Sequence, residues 1–414
     1  MTEPRAELAR ERSATALRNL TRSAARSLWR TQREAVAPPP SALGAPSWRS
    51  STVLLTKHVL LWVWNYLKVV FTPRAQFRAY NADPRRRPGV YALPDSCVVA
   101  LAADWGTGTK SAYAVAQAIR DEHPDVTIHL GDVYYSGTED EFRNYFLGPG
   151  RWPVGSLKGT SGSARGAYAL NGNHEMYSGG TGYFDAALKS LRQKTSYFCL
   201  ESPAWRIVAV DTGYYARSVP FLELLLTGCI RLPSPNRRWL RDVVFADPAD
   251  RRPVVLLSHH QWFSAFESEY RRVGKNLAPY LDRVVLWLWG HEHRFAGYAP
   301  FGRGRAPRVR ARCIGHGGMP VELRHRSPRT DRNLVFSDER RARFVDGDPI
   351  GYCGFALLRL DGPDLRLTYV DEMGTNLLEE QWVARPDGAS GTVAFVSPDL
   401  TIAASQTIAA LVAG

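Results

Sequence analysis

Five short motifs succeed one another along this 414-residue chain: Asp104-Trp105-Gly106, Gly131-Asp132-Val133-Tyr134-Tyr135, Gly172-Asn173-His174-Glu175, Ser258-His259 and Gly290-His291-Glu292-His293. Each closes an apolar, strand-like run at the point where it gives way to a loop. That placement constrains the fold, because in open α/β sheets ligands gather in the crevice beyond the carboxyl ends of the strands. Carboxylates, imidazoles and an amide oxygen collected there suit first-row metal ions, and together they supply ligands for two adjacent cations.

The intervening pattern agrees. From residue 96 apolar runs alternate with helical ones. Strands are expected at Cys97–Ala103, Val126–Leu130, Ala167–Leu170, Tyr197–Glu201, Trp205–Asp211, Pro253–Leu257, Val284–Trp289 and Val309–Ile314. Helices are expected over Lys110–His123 and Glu139–Phe146. A late pair, Gly354–Leu360 and Leu365–Val370, flanks Asp361-Gly362, a sequence that favours a hairpin turn. Alternation followed by consecutive strands points to a layered α/β domain with a mixed or double sheet.

Charge divides the chain differently. Residues 1–90 hold 16 Lys and Arg against 5 acids, leaving 37 against 35 for the remainder. The basic character therefore belongs to the N-terminal segment. Over residues 3–36, Leu17, Leu20, Ala24 and Leu28 fall three or four apart, with Arg18, Arg22, Arg26 and Arg30 on an adjoining face. This is the pattern of a basic amphipathic helix, ended by Ala37-Pro38-Pro39-Pro40. Thr52–Phe71 is rich in Val, Leu and Trp, but Lys57, His58, Asn65 and Lys68 interrupt it, so it falls short of a clean apolar span of about 20 residues.

Two readings of these segments stand. One is attachment to an anionic membrane surface, by arginines first and by Trp62, Trp64 and Tyr66 second. The other is a helical pair packed on the following domain, with a protein partner or nucleic acid as further candidates. Arg85-Arg86-Arg87-Pro88 reads as a linker. The expected divisions are 1–50, a basic helical extension; 51–90, an apolar aromatic segment and linker; 91–385, the metal-binding domain; and 386–414, a nearly uncharged tail.

Five cysteines (Cys97, Cys199, Cys229, Cys313, Cys353) are odd in number and widely spaced, which favours buried thiols over a disulfide framework. No secretory leader pattern opens the sequence. The expectation is a cytoplasmic protein, peripheral at the inner membrane face if the N-terminal arginines meet lipid.

Within the motifs, one carboxylate shared by two cations holds them about 3.5–4 Å apart, the geometry for in-line attack at phosphorus. Asp132, central in the order, is the expected bridge. Glu175 reads either as a proton donor or as a hydrogen-bond acceptor that orients a neighbour. Asp211 with Tyr214 and Tyr215, and His316 in a Gly-rich turn, are further candidates to line the pocket, each equally readable as ordinary structure.

The motif set resembles the calcineurin-like metallophosphoesterase superfamily over roughly residues 96–375, and is most similar to its purple acid phosphatase branch, of the small tartrate-resistant type. Gly106 stands where many members carry the histidine of an Asp-x-His motif, and Tyr135 stands three residues after Asp132, where purple acid phosphatases carry a tyrosine. The resemblance implies a four-layer α/β/β/α sandwich. It implies a ferric ion on Asp104, Asp132, Tyr135 and His293. Ferrous iron, zinc or manganese would sit on Asp132, Asn173, His259 and His291, and His174 would face the substrate phosphate and leaving group. The fourth motif reads Ser258-His259-His260-Gln261, so His260 competes with His259; the latter is favoured because it directly follows the strand.

The implied function is hydrolysis of phosphate monoesters by a metal-bound hydroxide, with a phosphate ester as substrate. A phosphodiesterase or nuclease using the same site is the alternative. So is a non-catalytic membrane or partner-binding protein, although such a protein would ordinarily have lost a ligand.

Overall fold

The computed structural model describes residues 74–413, apart from 149–150, 160–161, 217–228, 303–308, 324–327, 329–332, 346–347, 387 and 405. The expectations for residues 3–36 and 52–71 lie outside the described residues. Among those described, no helix is long and apolar enough to cross a membrane.

The strands run β1 (Val90–Ala92), β2 (Ser96–Ala102), β3 (Val126–His129), β4 (Ala167–Ala169), β5 (Phe198–Glu201), β6 (Arg206–Ala209), β7 (Val254–Ser258), β8 (Val284–Trp289), β9 (Phe295–Tyr298) and β10 (Arg310–Ile314). They continue as β11 (Val321–Glu322), β12 (Leu334–Ser337), β13 (Arg341–Val345), β14 (Asp348–Gly351), β15 (Gly354–Asp361), β16 (Asp364–Asp371), β17 (Asn376–Arg385), β18 (Gly388–Val396) and β19 (Thr401–Ile402). Two mixed sheets and a small antiparallel one, β11-β14-β13, result. One mixed sheet has the order β18-β17-β16-β15-β2-β3-β4, the other β1-β5-β6-β7-β8-β10-β9-β12-β19. In the first, β2, β3 and β4 are parallel neighbours; in the second, β6, β7, β8 and β10 are.

These parallel strands are mostly apolar because both their faces are covered. Val99 and Leu101 of β2 and Leu358 of β15 share a core cluster with Ile207, Leu257, Leu286 and Leu288 of the other sheet, which fills the space between the sheets. Ala100 and Ala102, on the opposite face of β2, belong instead with Val115, Ala116 and Ile119. Those residues are the buried stripe of α1 (Lys110–Asp121), whose first turn is capped by Thr109 accepting from the Ala112 amide at 3.1 Å. On the other sheet, Val208, Leu256 and Trp287 join the same outer cluster as Trp239, Leu240 and Val243.

An ion pair crosses the interior. Arg312 on β10 meets Glu380 on β17 through two parallel bonds of 2.7 Å, and both side chains are fully buried. The same guanidinium donates to the carbonyls of Tyr298 and Leu411, which ties the C-terminal turn to both sheets.

Two expected boundaries move. Residues 74–90 are not a linker but part of the body. Arg74 donates to the carbonyls of Tyr214 and Ala216, Phe77 packs on Tyr197, Tyr214 and Phe184, and Tyr80 packs on Tyr197 and Trp239. Val90–Ala92 then adds an edge strand to β5. At the other end, Gly388–Val396 forms a hairpin with β17 and extends the seven-stranded sheet, so no separate tail begins at 386. All five cysteines are free thiols, four of them buried.

Candidate metal centre

Five strand ends from two sheets meet here. β2 delivers Asp104, β3 delivers Asp132 and β4 leads to the short helix Asn173–Met176; from the other sheet β7 delivers His259 and β8 delivers His291 and His293. Asp104, Asp132 and His291 all hold left-handed backbone angles, with φ of 58°, 71° and 68°. Such angles are uncommon for residues other than glycine and cluster where function requires a fixed direction. The two loops from β3 and β4 touch so closely that a Cβ on Gly172 would lie 2.1 Å from Asp132 Oδ1.

The side chains converge. Asp104, Asp132 and His259 offer ligand atoms that all lie within 4.8 Å of one another. His259 Nε2 is 3.3 Å from Asp132 Oδ2 and 2.9 Å from Asn173 Oδ1, and that same amide oxygen is 2.9 Å from His291 Nδ1. His293 Nε2 is 3.7 Å from Asp104 Oδ1. His259 and His260 are separated by their partners. His259 Nδ1 meets the Leu130 carbonyl at 3.0 Å; a carbonyl only accepts, so this nitrogen carries a proton and Nε2 is the one that faces the cluster. His260 Nδ1 is held by the Thr212 hydroxyl at 3.0 Å, behind His259 and beside His291. His259, His260 and His291 also form a group within 4.8 Å, but only His259 among the adjacent pair meets Asp132 and Asn173.

The Tyr134 phenol lies in the cluster. Its hydroxyl donates to Asp104 Oδ1 at 2.7 Å and stands 2.9 Å from His293 Nε2 and 3.4 Å from Asp132 Oδ2. Tyr135, the position the resemblance implies, makes two backbone contacts beside it. Its amide donates to Glu141 Oε1, and its carbonyl accepts from His174 Nδ1 at 2.7 Å. That bond directs His174 Nε2 toward the cluster, 3.8 Å from Asp132 Oδ2, with the ring about one-fifth exposed.

Glu175 is fully buried and accepts three backbone N–H groups, from Asp132 at 3.1 Å, Val133 at 2.8 Å and Gly172 at 2.8 Å. It fixes the two loops against each other, so of its two readings the structure gives the orienting one. Asp211 is also buried, taken up by Ser196, Tyr214 and Asn171. His316 is buried and stacks on Phe295 at 5.2 Å. Neither is an exposed pocket wall.

Electrostatics test whether cations fit. Burial, with Asp132 beside it, pushes Asp104 up to about 8. Burial and Asp132 likewise raise Glu175 to about 8. For Asp132 burial opposes ionisation, yet the His259 and His174 imidazoles outweigh it and hold the carboxyl well below its usual range. Burial also disfavours charge on His259, but Asp132 and Asp104 raise it to about 9. A protein-only cluster of buried acids thus borrows protons to balance itself. Divalent or trivalent cations would supply that balance directly, and the oxygen and imidazole donors match such ions.

Three supporting residues escaped the sequence reading. Tyr177 accepts from Asn173 Nδ2 at 2.8 Å and Tyr270 meets His291 Nε2 at 2.9 Å, while Thr212 holds His260. Tyr177 lies four residues after Asn173, one helical turn on, a spacing that signals contact. No local signal marks Tyr270 or Thr212.

Residues 98–295 match the family model of the calcineurin-like phosphoesterases. All five motifs, from Asp104 to His293, fall within that match. No curated protein matches the chain in sequence. Among solved structures, it is similar to a purple acid phosphatase from yellow lupin (Lupinus luteus) seeds, at 16% identity and a TM-score of 0.42, over 69% of this chain and 53% of that one. The chain therefore spans about half the length of that enzyme. It is also similar to GAP50, the anchor in the inner membrane complex of Plasmodium, at 13% identity and a TM-score of 0.45, over 70% of this chain and 89% of that one. PhoD matches at 12% identity and a TM-score of 0.42, over 75% of this chain and 73% of that one.

Proposed function

We propose that this chain hydrolyses phosphate monoesters on a pair of cations held by Asp104, Asp132, Asn173, His259, His291 and His293, in the four-layer arrangement typical of its family. The observation that carries the reading is the convergence of those donors on Asp132, with a partly exposed histidine at the edge. When bound, two such cations activate a water for attack at phosphorus and neutralise charge on the equatorial oxygens. A ferric ion at the phenol-bearing position, with ferrous iron, zinc or manganese at the other, fits a donor set that includes a phenol.

The chain's own residues do the rest. Asp132 would be the carboxylate shared by the two cations, and the His259 and His174 imidazoles hold it well below its usual range. Glu175 holds the Asp132 and Gly172 amides so that this carboxylate cannot swing. His174, fixed at Nδ1 by the Tyr135 carbonyl, presents Nε2; once protonated, that nitrogen donates to the departing alkoxide. The basic segment before residue 74 is proposed to address the chain to an anionic membrane surface or a protein partner, at the cytoplasmic side.

The test is hydrolysis of a matched aryl phosphate monoester and diester by the full chain, with Asp132→Asn as control. Monoester turnover that disappears in the variant supports the reading. A diester preference moves the assignment to phosphodiester substrates, and silence on both with metals bound refutes hydrolysis of simple esters.

A further inference from the structure

The chain enters the described body at the edge where the cation ligands gather. β6 runs parallel to β7, so the loop after β6 leaves by the same edge as His259, and Thr212 in that loop holds His260 at 3.0 Å. Gly213 lies so close to the third motif that a Cβ there would stand 2.4 Å from the Asn171 carbonyl oxygen and 2.5 Å from that of Gly172. Arg74 grips this loop, donating to the Tyr214 carbonyl at 2.6 Å and the Ala216 carbonyl at 2.9 Å. The next residue, Ala75, donates its amide to the carbonyl of Gly179, on the turn that follows His174, at 2.8 Å. The entry point is thus pinned between the loop that holds His260 and the loop that carries Asn173 and His174.

What precedes that point in sequence suits a lipid surface. Residues 1–73 hold 11 Lys and Arg against 4 acids, and Thr52–Phe71 sets Trp62, Trp64 and Tyr66 among Val and Leu. Only three residues separate Phe71 from Arg74, a tether of at most about 11 Å. A second apolar stretch begins in sequence at the same place: Val219, Phe221, Leu222, Leu224, Leu225 and Leu226 follow closely on Ala216, the residue whose carbonyl Arg74 holds.

We infer that the catalytic edge itself lies against an anionic bilayer, and that the ester hydrolysed there is the phosphate monoester headgroup of a lipid. This rests on the phosphomonoesterase reading above and names its substrate class. Arginines are drawn to an anionic surface, and Trp and Tyr favour the depth of the headgroups. Nucleic acid would satisfy the charge and leave the apolar residues in water; an anionic bilayer takes up both.

The cluster is placed for such a substrate. His174 and His293 keep 20% and 31% of their side chains exposed, so the donors open at the edge of the body. A headgroup phosphate stands at the membrane surface and reaches such an opening without its lipid leaving the bilayer. A water oxygen forms the new bond to phosphorus as the bond to the lipid oxygen breaks. That oxygen takes a proton, which leaves an uncharged lipid alcohol in the bilayer and inorganic phosphate in solution.

The experiment uses the metal-loaded full chain and a variant combining Arg18→Gln, Arg22→Gln, Arg26→Gln and Arg30→Gln, all of them before residue 74. Three substrates are compared: vesicles of phosphatidylcholine and phosphatidylserine holding a little phosphatidic acid, dispersed short-chain phosphatidic acid, and a soluble aryl phosphate. Released phosphate, vesicle binding and backbone hydrogen exchange are read. Vesicles should slow exchange at residues 178–180 and 213–216 but not at 250–252, which precede β7 and so lie at the opposite edge. The variant should bind the vesicles at least roughly 100-fold more weakly and lose phosphate release from them in proportion, with dispersed lipid hydrolysed as before. Slowed exchange at 250–252 instead, or no binding to vesicles, overturns the placement. Hydrolysis of the dispersed or aryl ester with none on bound vesicles overturns the lipid substrate. If no ester is hydrolysed at all, the phosphomonoesterase reading fails and its lipid substrate with it, while the exchange pattern still decides which edge meets the bilayer.

Discussion

The side-chain amide of Asn173 donates to the hydroxyl of Tyr177 at 2.8 Å. With Nδ2 occupied, Oδ1 must face the other way, and it lies 2.9 Å from both His259 Nε2 and His291 Nδ1. Tyr177 therefore decides which end of the amide meets a cation. Tyr177→Phe should weaken the cation on that side by roughly 10- to 100-fold, as loss of an orienting partner ordinarily does. Equilibrium dialysis against zinc would measure this, with the melting temperature as the control for folding.

His174 is expected to matter in proportion to the leaving group. His174→Gln should slow hydrolysis of alkyl phosphates by about 10²–10⁴-fold, the usual range for a lost general acid. Esters of acidic phenols, which leave without a proton, should lose much less. Equal losses across both ester classes would remove His174 from the role of donor.

Arg312 and Glu380 join the two sheets through a pair that no water reaches. Removing one charge strands the other, so Glu380→Gln should cost about 3–5 kcal/mol of stability in urea unfolding. The double variant Arg312→Met with Glu380→Leu should recover most of the loss. Failure to recover would show that the guanidinium's bonds to the Tyr298 and Leu411 carbonyls, not the pair itself, supply the stability.

Asp211 makes stability depend on pH in a direction opposite to most acids. Burial raises its pKa to about 6, even though Ser196, the Tyr214 amide and Asn171 favour its charged form. A raised acid is protonated in the folded state where the unfolded chain has already released the proton. Its contribution is therefore complete below about pH 4 and is lost as pH rises through 6. Relative to Asp211→Asn, the wild type should lose up to about 3 kcal/mol between pH 4 and 7. A constant difference across that window would contradict the buried, proton-holding carboxyl.

Truncation should distinguish residues 1–73 from 74–90. A chain starting at 74 keeps Arg74 on the Tyr214 and Ala216 carbonyls, Phe77 among its aromatic partners, and the Pro88 carbonyl accepting from Trp239 Nε1 at 2.7 Å. It should melt close to the full chain and hydrolyse a small soluble ester equally well. A chain starting at 91 loses those contacts and should melt several degrees lower, roughly what a loss of 1–2 kcal/mol produces. Equal melting of the two truncations would return 74–90 to the status of a linker.

Much of the body was legible beforehand because its strands are buried on both faces and so appear as uninterrupted apolar runs. Val284–Trp289 has the same limits in sequence and structure, and the Asp361-Gly362 turn sits in the β15–β16 hairpin. The later strands β17 and β18 were harder to read, since one mixes charged with apolar residues and the other lies at an edge with half-exposed side chains. Residues 74–90 misled for a related reason. Their arginines and prolines have the composition of a linker, and only long-range contacts with Tyr197, Tyr214 and Trp239 hold them.

The same division runs through the site. Sequence by itself determined which motifs would meet, because strand ends carry Asp104, Asp132, Asn173, His259, His291 and His293 to one edge whatever their exact neighbours. Only the tertiary structure decided which of two adjacent residues turns inward. For His259 over His260 the deciding contact is the Leu130 carbonyl, from a segment 129 residues away. Adjacent residues of the same type carry the same local preferences, so nothing short of that distant partner can tell them apart.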